Sequence, residues 1–121
     1  MKKSYRDLYI WQSSVDLAVS VCQLTAEFPA RQQRVLVEQM QRAAVSIPSN
    51  ISEGKGRLSQ KEFRYFLGIS RGSLYELRTQ IEIATRLDFV DSQTQVGLDD
   101  RIGKIGAGIN NLLRLIPSKT Q

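Results

Sequence analysis

The sequence predicts an all-α fold, an antiparallel up-down-up-down four-helix bundle. Three observations carry that prediction. Four stretches, at about residues 8–28, 31–53, 59–87 and 98–116, repeat apolar side chains at the three-and-four spacing of a helix face. Short connections join them, which favours antiparallel neighbours. No segment competes with the alternation of a half-buried strand. A chain of 121 residues, 41% apolar and 24% charged, suits one domain over residues 1–121.

In the first stretch Leu8, Trp11, Val15, Ala18, Cys22 and Thr25 mark one face, and Val19 widens it. Phe28 and Pro29 close it, because a residue before proline is pushed out of the helical region. The second stretch starts near Ala30 or Arg31 and turns Leu36, Met40, Ala43 or Ala44, and Ile47 inward. Pro48 has no N–H to give the carbonyl of Ala44. The helix therefore stops there or kinks and runs on to Glu53. Ile51 falls four residues after Ile47, which favours the second outcome. Gly54-Lys55-Gly56-Arg57 is expected to form the turn.

Ser59 and Glu62 then make a capping box, with Leu58 and Phe63 spaced as a hydrophobic staple. Phe63, Ser70, Leu77 and Ala84 recur every seven residues, interleaved with Leu67, Leu74 and Ile81, as in a bundle seam. Residues 88–97 carry no period and are expected to be the last connection. In the fourth stretch Leu98, Ile102, Ile105, Ile109, Leu112 and Ile116 step four and three, and Pro117 ends the run. Gly103, Gly106 and Gly108 either weaken this helix or mark a close crossing.

The formal net charge is +5, and the excess is local. Residues 31–86 hold ten basic and five acidic side chains, whereas both flanks balance. Such a concentration either steers a polyanion to one surface or forms a solvated face. Arg64, Arg71 and Arg78 stand seven apart beside the seam, and Lys55, Arg57 and Lys61 cluster at the start of the same helix. These six residues are the candidate nucleic-acid contacts, with arginine suited to bidentate phosphate binding. Subunit pairing and plain solvation are the other readings, and Arg78 and Arg86 are each spaced to pair with Glu82. Pro48, Asn50, Glu53, Gly54 and Gly56 form a structural motif. In it Ser49 or Asn50 satisfies the carbonyl that Pro48 frees, and Glu53 pairs with a nearby cation. Tyr65, Phe66 and Tyr75 lie off the seam and are the candidate interface of a homo-oligomer.

Enzyme chemistry finds no footing. The chain has no histidine, and its one cysteine, Cys22, sits in an apolar pattern where a small buried side chain is expected. The GKGR segment lacks the spacing of a phosphate loop, and no Glu-x-x-His pair is present for a carboxylate metal site. No catalytic, cofactor or metal site is therefore expected. The N-terminus, charged but without a following apolar run, gives no secretory signal, and no stretch reaches membrane-spanning length, so a cytoplasmic location is expected.

Two segments carry a resemblance: RAAVSIPSNISEGKGR at Arg42–Arg57 and KEFRYFLGISRGSLYELRTQ at Lys61–Gln80. With Asp7-Leu8, Trp11-Gln12, the Thr25–Pro29 segment, Ile83-Ala84 and Leu87, they resemble the four-helix-bundle proteins encoded in 23S rRNA intervening sequences, the S23-type family. The likeness covers residues 5 to about 90; the last helix resembles the family only in position and pattern. It implies a bundle assembling into a ring, usually a homopentamer. It also implies kinship with accessory proteins of diversity-generating retroelements, and so RNA or DNA and a reverse transcriptase or other nucleic-acid enzyme as partners. It does not imply a defined activity. At Arg78 the family commonly has an acidic residue, so this helix surface is more basic than its relatives'.

Overall fold

The computed structural model describes Tyr5 and residues 8–116. Four α-helices carry the fold: α1 Tyr9–Thr25, α2 Glu38–Lys55, α3 Gln60–Arg86 and α4 Ser92–Leu115. No strand occurs among the described residues. Each helix packs against its neighbours in the chain, and α4 returns to α1, which closes a four-helix bundle. The core holds Leu17 and Val21 of α1, Met40, Ala44, Ile47 and Ile51 of α2, Leu67, Leu74, Leu77 and Ile81 of α3, and Ile102, Ile105 and Ile109 of α4.

The seam of α3 lies where its sevens place it: Phe63, Leu67, Ser70, Leu74, Leu77, Ile81 and Ala84 are all buried. Ser70 is tolerated there because its hydroxyl donates to the carbonyl of Ile47 at 2.8 Å, across the α2–α3 contact. The helix starts at Ser59, whose Oγ accepts from the Glu62 N–H at 3.1 Å. It ends without glycine. Asp88 takes the left-handed conformation, φ 65°, and the Phe89 N–H reaches back to the carbonyl of Ala84 at 2.9 Å. Phe89 then meets Phe28 with ring centroids 5.5 Å apart, joining the α3–α4 connection to the end of α1.

Helix α1 departs from expectation. Its buried side is Ile10, Ser14, Leu17, Ala18, Val21 and Thr25, so the stripe through Trp11, Val15 and Cys22 is only partly covered and Val19 is exposed. One hydroxyl, that of Ser14, disguises the true face, whereas Thr25 is buried as expected. Ser14 donates to the Trp11 carbonyl at 3.0 Å and Thr25 to that of Val21 at 2.8 Å, which lets both enter the core. The helix also stops at Thr25, short of Phe28, and a turn in which the Phe28 N–H bonds the Thr25 carbonyl at 3.1 Å completes the segment.

The second helical segment opens irregularly, with a 3₁₀ turn at Ala30–Gln32 and a π turn at Gln33–Val37 before α2 proper. Leu36, Met40, Ala43, Ala44 and Ile47 are buried, and α2 runs through a buried Pro48 to Lys55. Gly54 and Lys55 thus belong to the helix rather than the turn. Gly56 caps it with φ −78°, so neither glycine is needed for a left-handed bend. Gly54 is needed for contact instead: a Cβ there would stand 2.7 Å from Phe66 Cβ and 3.1 Å from Phe63 Cδ1.

Helix α4 begins at Ser92, not Leu98, so the connection is shorter than residues 88–97. Its start is fixed by Asp91, whose Oδ1 accepts from the Thr94 N–H at 2.7 Å. Leu98, Ile102, Ile105, Ile109 and Ile116 are buried and Leu112 partly so. Pro117, the expected stop, lies outside the described residues. Gly108 marks a true crossing, because a Cβ there would collide with Ile10 Cγ2 of α1.

The Asp91 cap makes a pH prediction. The bond from the Thr94 N–H holds this carboxyl below its ordinary value of 3.8. A depressed folded-state pKa gives stability that is present above the unfolded value and lost as pH falls through the folded one. Protection of the α4 N-terminal amides against hydrogen exchange, relative to the intrinsic rate at each pH, is therefore expected to fall below about pH 4. Asp91→Asn, which caps without titrating, should remove that acid dependence.

Candidate nucleic-acid interface

The polar residues around Pro48 knit α2 to α3. Asn50 Nδ2 donates to Ser46 Oγ at 2.9 Å and to the Ser46 carbonyl at 2.8 Å, and Ser46 Oγ shares a 2.8 Å hydrogen bond with Ser73 Oγ. Ser49 bonds the carbonyl of Val45. Contrary to expectation, neither Ser49 nor Asn50 therefore takes the carbonyl of Ala44 that Pro48 leaves free. Glu53 pairs with Arg57 at 2.7 Å across one helical turn.

The three spaced arginines all turn toward α4. Arg64 Nη1 donates to the carbonyls of Leu113 at 2.6 Å and Ile116 at 3.2 Å, closing the C-terminal end of that helix. Arg71 donates to Asn110 Oδ1 at 2.9 Å. Arg78 donates to the Asp99 carbonyl at 3.1 Å, and its Nε stands 3.6 Å from Asp99 Oδ1, near enough for charge attraction but too long for a hydrogen bond. Asp99, rather than Glu82, is thus the partner of Arg78. Glu82 instead accepts from Arg86 at 2.8 Å and Gln95 at 2.6 Å, and these bonds, Arg86 first, lower its pKa. The stripe holds α3 to α4 while leaving guanidinium surface at the groove between them.

The other cations stand at one end of the bundle, where α2 gives way to α3 and α4 finishes. Lys55 sits over the Phe63 ring at 5.5 Å and Arg57 over Phe66 at 4.9 Å. Lys61 forms no ion pair among the described residues, and Arg114 is held only by a hydrogen bond to Asn111. The opposite end carries Glu82, Asp88, Asp91, Asp99 and Asp100 together with Arg31, Arg34 and Arg86. Of the ten cations between residues 31 and 86, Lys55, Arg57, Lys61 and Arg64 lie at the first of these ends.

The outward side of α3 is only partly legible in the sequence. Tyr65 is 65% and Tyr75 49% exposed, whereas Phe66 is half-buried, edge-on to Tyr65 at 5.2 Å. Beyond these, Tyr65, Ile69, Gly72, Glu76, Ile83 and Leu87 form a second stripe opposite the core seam. Gly68 and Gly72 open onto empty space. Their four-residue spacing is the signal the sequence offers for it. A polar cleft of about 190 Å³ between α1 and α4, lined by Tyr9, Ser13, Asp16, Arg101 and Lys104, has no such signal. Arg101 is anchored there to Ser20 Oγ at 3.0 Å and Lys104 to Asp100 at 3.2 Å. Among the described residues no group of three or more Cys, Asp or Glu side chains could hold a metal ion.

Four helices packed into a closed bundle define the class of protein, an all-α bundle. Residues 6–111 match the model of the 23S rRNA-intervening sequence protein family, and the chain belongs to that family. Its fold is similar to the crystal structure of a protein of unknown function from the S23 ribosomal protein family of Bacteroides thetaiotaomicron. The TM-score is 0.78 at 18% identity, with 87% of this chain and 98% of that one covered. No curated protein matches. No helix among the described residues is long and apolar enough to cross a membrane.

Proposed function

We propose that this chain is a non-enzymatic, self-associating cytoplasmic bundle that presents its basic end to RNA or DNA. The observation that carries the reading is the gathering of Lys55, Arg57, Lys61 and Arg114 at one end, with Lys61 and Arg114 free of carboxylate partners among the described residues. Lys55, Lys61 and Arg114 can meet phosphates without first breaking an ion pair among the described residues, and Arg57 does so by giving up its exposed pair with Glu53. The groove along Arg64, Arg71 and Arg78 continues this surface down the bundle. Self-association, as the homopentamer that the family resemblance implies, uses the outer face of α3. It repeats the basic end around one axis, so that contacts weak in a single copy add as avidity. A reverse transcriptase or another nucleic-acid-processing enzyme is then the partner class. The rival reading, a protein scaffold, gives Lys61 and Arg114 only the task of solubility.

Opposed variants test the proposal. Replacing Lys55, Lys61 and Arg114 together by glutamine is expected to weaken binding to any nucleic acid. The salt slope should fall by about 0.9 for each phosphate that is no longer neutralised. Replacing Arg31 and Arg42, away from that end, should leave both affinity and slope unchanged. Equal weakening by the two sets would reduce the effect to net charge and contradict the proposed interface.

A further inference from the structure

Leu58 is 102% exposed, as open to solvent as in an extended chain. Its sequence position, just before the Ser59 cap, is that of a staple expected to fold back on Phe63. That staple does not form. Phe63 is already buried, with Gly54 against it and the Lys55 ammonium over its ring. Ser59 is extended, φ −128° and ψ 151°, and its cap fixes where the helix begins. A bare apolar side chain is thus held at the tip of the basic end, between Arg57 on one side and Lys61 on the other. Contacts hold the flanking elements: Gly54 permits the close approach of α2 to α3, and Arg57 is braced by Glu53 and Phe66.

We propose that the α2–α3 tip is a wedge, in which Leu58 enters a base step of bulged or otherwise distorted nucleic acid while Lys55, Arg57 and Lys61 hold the adjoining phosphates. The inference rests on the reading that the basic end binds nucleic acid, and it adds a preference for distorted over regular duplex. A single apolar side chain suffices to part a base step, and an already unstacked step spares most of the cost. A membrane surface is the poorer occupant, because stable attachment there requires an apolar helix face or an acyl chain, not one leucine.

The test is fluorescence anisotropy of the full chain with three labelled probes: a DNA duplex, the same duplex with a two-nucleotide bulge, and lipid vesicles of phosphatidylcholine and phosphatidylserine. Wild type should favour the bulged probe over the regular duplex. Leu58→Ser, which touches nothing in the fold, should abolish that preference, with about tenfold weaker binding to the bulge. Its salt slope should stay at the wild-type value, since every cation is kept. An undiminished bulge preference in Leu58→Ser would overturn the wedge while leaving the nucleic-acid reading intact. Absence of wild-type binding to either DNA would overturn both. Vesicle binding that disappears in Leu58→Ser, with no bulge preference in wild type, would overturn the wedge and assign the tip to a lipid surface.

Discussion

Replacing Gly54 with alanine is expected to destabilise the folded chain by about 1–3 kcal/mol, more than an ordinary surface change, by forcing α2 and α3 apart. The added methyl would lie 2.7 Å from Phe66 Cβ, and that atom, next to the backbone, cannot swing aside. Gly108→Ala should cost a similar amount at the α1–α4 crossing, where the new methyl meets Ile10. There, Ile10→Ala should recover part of the stability. The measurement is the urea midpoint at one fixed protein concentration, because any self-association would make stability concentration-dependent. A double variant less destabilised than the sum of the two single variants would confirm steric overlap, and strict additivity would contradict it. Alanine at Gly54 without cost would mean that the two helices do not approach this closely.

The second large effect concerns assembly. Under the proposed self-association through the outer face of α3, Tyr65→Lys together with Ile83→Lys is expected to leave monomers by native mass spectrometry while helix content is kept. Both side chains are exposed and lie off the core, so burial within the chain does not oppose the change. Glycine variants sharpen the test through their sign. In an isolated chain Gly68→Ala and Gly72→Ala should each stabilise α3 by roughly 0.5–1 kcal/mol, since a helical glycine is unfavourable and nothing lies within 4 Å of the new methyl. At an interface that uses the outer face of α3, the same methyls stand between two helices and weaken assembly. Stabilised monomers with an unchanged oligomer mass would remove that face from the interface.

What is legible in the sequence follows from how each element is held. The seams of α3 and α4 are readable because large apolar residues occupy nearly every inward position. The face of α1 is displaced by about one residue from its apolar pattern, and Ser14 hides the shift, because it is a core position that looks polar until its hydroxyl bonds the preceding turn. The start of α4 escapes the pattern because Gln93, Thr94, Gln95 and Gly97 offer no apolar period, and the Asp91 cap alone marks it. At the candidate site, the register of Arg64, Arg71 and Arg78 is legible but their partners are not. Those partners are chiefly backbone carbonyls and an asparagine of α4, fixed only by packing between helices. Leu58 is hidden for the opposite reason. Its local signal names a contact that Lys55 and Gly54 already fill.

Whether the basic end of this bundle meets nucleic acid is decided by anisotropy of labelled duplex DNA and structured RNA against the mass-checked oligomer, across a salt series. Saturable binding is expected, with an affinity that falls steeply and linearly in log–log form as salt rises. Absence of binding even at low salt would contradict the nucleic-acid reading and turn the basic end into a surface for a protein partner.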